Sequence, residues 1–204
     1  LGVPQTLVLD GLDAPVAESF QRALAALSAA GAQLVDLPFP ELARVPGINR
    51  FGGFSTTEAW AWHRQLLSEH GDRYDPIIAA RMRRGGEPSA ADYIDLVNAR
   101  AEMIAIADAT TRPFDAILMP TTPNIPPALA PLENDMDLWL KTNLHTMRNT
   151  VLGNFLDRCA ISLPCHRPGE APVGLMLMGA TMADGHLLRV ANSVEACLGF
   201  WTAH

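Results

Sequence analysis

Lysine is almost missing from this chain. Lys141 stands alone among 204 residues, so a mechanism that requires a catalytic lysine has one candidate here. Cysteine is scarce too. Cys159, Cys165 and Cys197 form an odd set without paired spacing, which excludes a disulfide framework or a metal knuckle and points to a reducing, cytoplasmic setting. No apolar run approaches the ~20 residues that span a bilayer, and no signal peptide opens the chain, so no membrane partner is expected. The formal net charge of −7 argues against nucleic acid as a partner. Dinucleotide (GxGxxG), phosphate-loop (GxxxxGK[ST]) and zinc (HExxH) signatures are absent, and neither cofactor nor metal is expected. His63 and His70 lie seven residues apart on one expected helix, too far to share an ion without other ligands.

What is present is a globular core. Hydrophobic residues make up 49% and charged residues 18%, enough to bury a sizeable interior. The opening, LGVPQTLVLD, lacks an initiator methionine and runs at once into a strand-like pattern, as the middle of a longer chain would. Thr6–Leu9 is the first expected strand. Asp13 and Pro15 mark a helix entry, and Val16, Phe20, Ala23, Leu24, Leu27 and Ala30 repeat at helical spacing before Gly31. A second strand follows over residues 33–39. Strand, helix, strand is the pattern of an α/β sheet. Residues 45–112 read as helical without a strand: helices near 55–69, 75–83 and 89–110, the first capped by Ser55 or Thr56. Ala116–Met119, Ala160–Leu163 and Gly174–Met178 are strands, the last two expected to be buried on both faces. Residues 186–198 close as a helix. The expected fold is α/β: five strands in one mixed β-sheet, flanked by helices 14–30 and 186–198.

Candidate site residues are few. Asp135 and Asp137 read as a solvated acidic loop. Ser162 lies in an expected buried strand without a nearby base, a poor nucleophile because an unassisted hydroxyl is inert at neutral pH. The run FDAILMPTTPNIPPAL, residues 114–129, is the most suggestive. A strand stops at Pro120, two threonines follow, and three more prolines stiffen the continuation. Either Thr121 and Thr122 cap a turn while the prolines route the chain, or they line a site at a strand end, where sites gather in α/β sheets.

The ordered motifs add to this reading. Asp115, Pro120-Thr121, Asn154, Ala160-Ile161-Ser162-Leu163-Pro164 and Pro172-Val173-Gly174-Leu175 follow one another as in the second half of an amidase signature enzyme. Glu58-Ala59, Asp75-Pro76, Arg81, Gly85, Ser89 to Tyr93 and Arg100 also fall in that family's order. The chain resembles the family over nearly its whole length. It departs where many members carry Gly-x-Pro, with Asp157-Arg158-Cys159 in that place, which suggests a subgroup.

The resemblance implies that residues 1–204 are the C-terminal portion of a single amidase-signature domain, contributing sheet core and a substrate-cleft wall. Members hydrolyse amides with a Ser, cis-Ser, Lys triad whose residues lie upstream of this portion. None of that signature occurs here, and Lys141 falls outside the family's lysine position, so no catalytic residue is assigned within the chain. A small-molecule amide is the implied substrate. Thr121 and Thr122 are implied to line the cleft, with Asn154 and Arg148 beside them, and Arg81 to bind a substrate carboxylate. An Arg81–Arg83–Arg84 surface cluster is the plain alternative. A missing half would leave a sheet face open, so a homo-oligomer through that face is expected. A non-catalytic module retaining half of the fold, or an unrelated α/β protein with a coincident strand pattern, are the rival readings.

Overall fold

A computed structural model describes residues 1–199. In chain order the elements are β1 (Gly2–Pro4), α1 (Ala14–Ala29), β2 (Val35–Leu37), α2 (Val45–Ile48), α3 (Gly53–His70), α4 (Pro76–Arg84), α5 (Ala90–Thr111), β3 (Ile117–Pro120), α6 (Ala130–Glu133), α7 (Met136–Phe155), β4 (Ala160–Pro164), β5 (Gly174–Met178) and α8 (Asp184–Leu198). They fall into two compact units, Leu1–Leu42 with the chain from Ile106 onward, and Ala43–Ala105. No helix among the described residues is long and apolar enough to cross a membrane.

The first unit is built on one five-stranded sheet in the order β2-β1-β3-β5-β4. β1 pairs in parallel with β2 and β3, and β5 runs antiparallel to both β3 and β4, so the sheet is mixed as expected. The hairpin register sets Ile161 opposite Leu177 and Leu163 opposite Leu175. Side chains alternate across a sheet. One face therefore gathers Leu118, Leu163, Leu175 and Leu177, and it joins Val16, Phe20, Ala23 and Leu27 of α1 and Leu187, Ala191 and Val194 of α8 in the core. The spacing of α1's buried positions is that of one helical stripe, and Pro15 fits the first turn because its missing N–H has no intrahelical partner there. Fully burying a side chain such as Phe20 contributes about 2–3 kcal/mol.

The hairpin loop is tied to α1. Glu170 accepts from Arg167 N at 2.9 Å and from Arg22 at 2.5 Å. The Arg167 amide, and then Arg22, hold the Glu170 carboxyl below its usual range. Val173 N donates to His166 Nδ1 at 3.1 Å and closes the strand ends.

Three local expectations are corrected. The first strand is Gly2–Pro4, and residues 6–11 form a bend and turn with Leu7 at φ 68°. Val8 is fully buried inside that turn, so its apolar character marks burial without strand geometry. β4 is not buried on both faces, because it is the outermost strand, and Ala160 and Ser162 are exposed. Asp135 and Asp137, read as a solvated acidic loop, instead open the 20-residue helix α7, a stretch to which the sequence reading assigns no element: Asp135 is its N-cap, accepting from Leu138 N at 2.9 Å, and Asp137 lies in its first turn.

In the second unit, α3 begins at Gly53, earlier than a Ser55 or Thr56 cap requires. Gly52 precedes it at φ 88°, and the Thr56 hydroxyl donates back to Gly52 O at 3.0 Å. A side chain at Gly52 would meet Thr56, so glycine is needed both for the backbone angle and for space. Asp75 caps α4 through Ile77 N and Ile78 N at 2.9 and 3.1 Å. His63 Nδ1 lies 2.8 Å from the Tyr74 hydroxyl, which gives that histidine a packing partner.

Candidate functional site

The C-terminal end of β3 organises the first unit's polar groups. Thr121 N donates to Gly174 O at 2.8 Å and carries the β3–β5 pairing one residue past Pro120. The Thr121 and Ser162 hydroxyls share a hydrogen bond of 2.5 Å. Gly174 sits between these two side chains. A Cβ there would collide with Ser162 Oγ and lie 2.6 Å from Thr121 Oγ1, so the absence of a side chain permits the pair. Two hydroxyls and a bare strand start thus form a small polar rim where the end of β3 and the start of β5 meet the middle of β4. Ser162 is exposed there, although its apolar neighbours predict a buried strand, because edge position is set by sheet order and not by local pattern.

The segment after Thr121 is pinned by short bonds. Thr122 Oγ1 donates to Asn124 O at 3.0 Å, and Asn124 Nδ2 donates to Ile125 O at 3.0 Å. Ile125 N donates to Asp13 Oδ2 at 3.0 Å, and Asp13 N to Pro123 O at 2.9 Å. Asp13 is the N-cap of α1 by position, yet its carboxylate is turned to this loop and makes no cap bond within the helix. The prolines therefore route the chain onto the start of α1, and Thr121 is left at the rim. The routed turn thus fits residues 122–125, while Thr121 stands at the end of the strand.

Helix α7 packs beside the end of β3. Asn149 is fully buried, and its Nδ2 donates to Val8 O at 3.1 Å and Pro120 O at 2.8 Å. It joins the turn after β1 to the end of β3. Arg148 donates to Asp10 O at 2.7 Å and Val8 O at 3.3 Å, so its guanidinium clamps the same turn. Burial lowers the Arg148 pKa, and the nearby Asp10 charge opposes that shift. Asn154 is exposed near the C-terminal end of α7. Arg81 is exposed in the last turn of α4, in the second unit, beside Arg83 and Arg84, where cations complement the carbonyl end of a helix.

Sequence reasoning misses Asn149 and His145, and it sets Ser162 and Lys141 aside. The signal for the α7 residues is the spacing of Lys141, His145, Arg148 and Leu152, one helical stripe that is visible once Asp135 is read as a cap. Cys165 offers no thiolate nucleophile, since burial pushes its thiol up to about 11. The Asp157-Arg158 departure also has a physical form. Asp157 adopts φ 57°, a left-handed angle that glycine favours, and the nearly buried Arg158 pairs with Asp108 at 2.7 Å.

Comparison with known proteins assigns the family. The amidase family model matches residues 1–188, and the chain belongs to that family. It is 31% identical over 203 residues to 2-amino-5-chloromuconic acid deaminase of Comamonas testosteroni, covering 98% of this chain and 43% of that protein. It is 29% identical over 222 residues to a glutamyl-tRNA(Gln) amidotransferase component of Halobacterium salinarum, covering 96% of this chain and 50% of that protein. A crystal structure described as an amidase superposes with a TM-score of 0.82 at 25% identity, covering 96% of this chain and 45% of the other. The chain thus spans half or less of the length of these relatives.

Proposed function

We propose that these residues form part of an amidase that hydrolyses the carbon–nitrogen bond of a small-molecule amide, and that they furnish sheet core and one wall of the substrate cleft. The rim of Thr121, Ser162 and Gly174 carries this reading. It places paired hydroxyls beside an open strand end, at the carboxyl end of β3, where ligands gather in sheets with parallel strands. Thr121 and Ser162 act as hydrogen-bonding groups toward the substrate, and Thr122 fixes the loop behind them. Arg148 and Asn149 hold the turn at Val8 in place and so act by positioning.

The nucleophile and its base come from sequence outside these residues. Amide hydrolysis needs an activated nucleophile and donors for the oxyanion. The Thr121–Ser162 pair has neither a basic partner nor a run of glycine amides. Family membership and the share of the relatives that this chain spans support the assignment of the triad elsewhere.

The test compares residues 1–204 with the full polypeptide in an ammonia-release assay over a panel of simple amides. The full polypeptide is expected to turn over and to lose activity when its signature serine is replaced, since loss of a nucleophile costs many orders of magnitude. Residues 1–204 alone are expected to show no turnover. Activity in the shorter chain, or full activity without the serine, overturns the assignment.

A further inference from the structure

The β4–β5 hairpin closes on a histidine. His166 lies just past the end of β4, and Val173 is the residue before β5. Val173 N donates to His166 Nδ1 at 3.1 Å, and the same ring nitrogen lies 3.2 Å from Val173 O. One nitrogen thus faces both a donor and an acceptor of a single residue. It serves one of them at a time, because a bare Nδ1 accepts and a protonated Nδ1 donates.

The supply of partners decides which bond the neutral ring makes. Val173 O already receives Cys165 N at 2.9 Å. Val173 N has His166 Nδ1 as its acceptor, and Val173 is buried, where an N–H without an acceptor costs free energy. The neutral ring therefore carries its proton on Nε2 and keeps Nδ1 bare. Protonation reverses this. An imidazolium has no acceptor, so the bond from Val173 N breaks, and Nδ1–H turns to Val173 O, which already lies within reach.

The surrounding charges do not change with it. They are Arg167 and Glu170 in the loop, Glu18 and Arg22 on α1, and, beyond its first turn, Arg189 and Glu195 on α8, which packs on β4. The Arg167 amide and then Arg22 hold the Glu170 carboxyl low, so its bonds persist on mild acidification. Burial pushes the Cys165 thiol up to about 11, which keeps it neutral. The imidazole is the hairpin group that takes up a proton there. It also sits close to the rim. Gly174 follows Val173, its carbonyl accepts Thr121 N, and its missing side chain makes room for the Thr121–Ser162 pair.

We propose that His166 is a proton-sensitive latch on the β4–β5 hairpin: the neutral ring fixes the start of β5 through Val173 N, and protonation releases that N–H and loosens the strand start beside Gly174. The contribution of this bond is present with the neutral ring and is lost as pH falls. The latch is independent of the amide-hydrolysing reading, since it needs neither substrate nor turnover.

The test is an NMR titration of the isotope-labelled 204-residue chain across the range in which imidazoles titrate, about pH 8 to pH 5. The ring nitrogens of His166 report its tautomer and its titration, and hydrogen exchange reports the Val173 amide. At the alkaline end Nδ1 should be unprotonated and Val173 N–H protected. As the ring titrates, the protection factor of Val173 should fall about ten-fold, the equivalent of one hydrogen bond, while that of Phe20 within α1 should hold. The Gly174 amide should shift with the same midpoint. His166→Phe keeps a ring without an acceptor and should show the low Val173 protection at every pH. The titration of the unaltered chain is a test by itself. A neutral ring protonated at Nδ1, Val173 protection that is constant through the His166 titration, or a loss shared by Phe20 overturns the proposal. So does pH-dependent Val173 protection that persists in His166→Phe.

Discussion

At the scale of single residues, Asn149 holds together elements far apart in sequence. Its amide nitrogen serves the carbonyls of Val8 and Pro120, the first in a turn that carries Leu7 at φ 68°. A leucine in the left-handed region costs about 1–3 kcal/mol, and such a conformation persists only where its surroundings fix it. Asn149→Ala removes both donations. Val8 O keeps the longer bond from Arg148, while Pro120 O is left without its Asn149 donor. An unpaired buried acceptor costs about 1–3 kcal/mol, so the variant should lose about 2 kcal/mol in urea unfolding. A loss below about 0.5 kcal/mol would mean that water or a shift of α7 takes over the role. Because Asn149 neighbours the rim through Pro120, the amide hydrolysis proposed for the full polypeptide should also lose kcat/KM, an effect that a substitution on the far side of α7, such as Leu144→Ala, should not share.

Elements are where the sequence is most informative, and where its silence has physical causes. Gly174–Met178 is read at its true limits because a short, continuous apolar run between a Gly-Glu-Ala-Pro loop and Gly179 has few other ways to be buried. Helix α1 is equally plain, since its stripe and its entry and exit signals agree. Helix α7 is hidden. Asn143, His145, Thr146 and Asn149 interrupt its apolar stripe, and the prolines before it suggest continued irregularity. One of these polar residues, Asn149, ties the helix to the Val8 turn, so the contact that fixes the element also obscures it in the sequence. The site is partly legible for the same reason. Thr121 and Thr122 stand out beside prolines, whereas Ser162 reaches the surface only because β4 is last in the sheet, a fact of topology. The helix assignment has a direct check. Asp135→Ala deletes the bond to Leu138 N and should cost about 1 kcal/mol of stability, while Asp135→Asn or Asp135→Ser should restore most of it. Equal stability of the alanine variant would show that the first turn of α7 contributes little to folding.

At the scale of the whole molecule, the sheet's two outer strands differ in what they expose. β4 pairs on one side only, with β5, and its Ala160 and Ser162 are open to solvent. An edge strand offers unpaired N–H and C=O groups that another strand can meet, and proteins suppress this with charge or proline along the edge. β4 has no charged residue, and its proline is at the last position, where it blocks little. We therefore expect residues 1–204 to self-associate through β4, with two copies pairing edge to edge. Sedimentation velocity over a range of concentrations should show a monomer–dimer equilibrium. Ala160→Lys adds a charge to the exposed face of the edge without touching the α1–α8 core, so it should shift the equilibrium to monomer with thermal stability unchanged. A monomer at every concentration, or a dimer indifferent to Ala160→Lys, would show that β4 is not the contact and would return attention to the exposed apolar residues of α7, Met136 and Leu144.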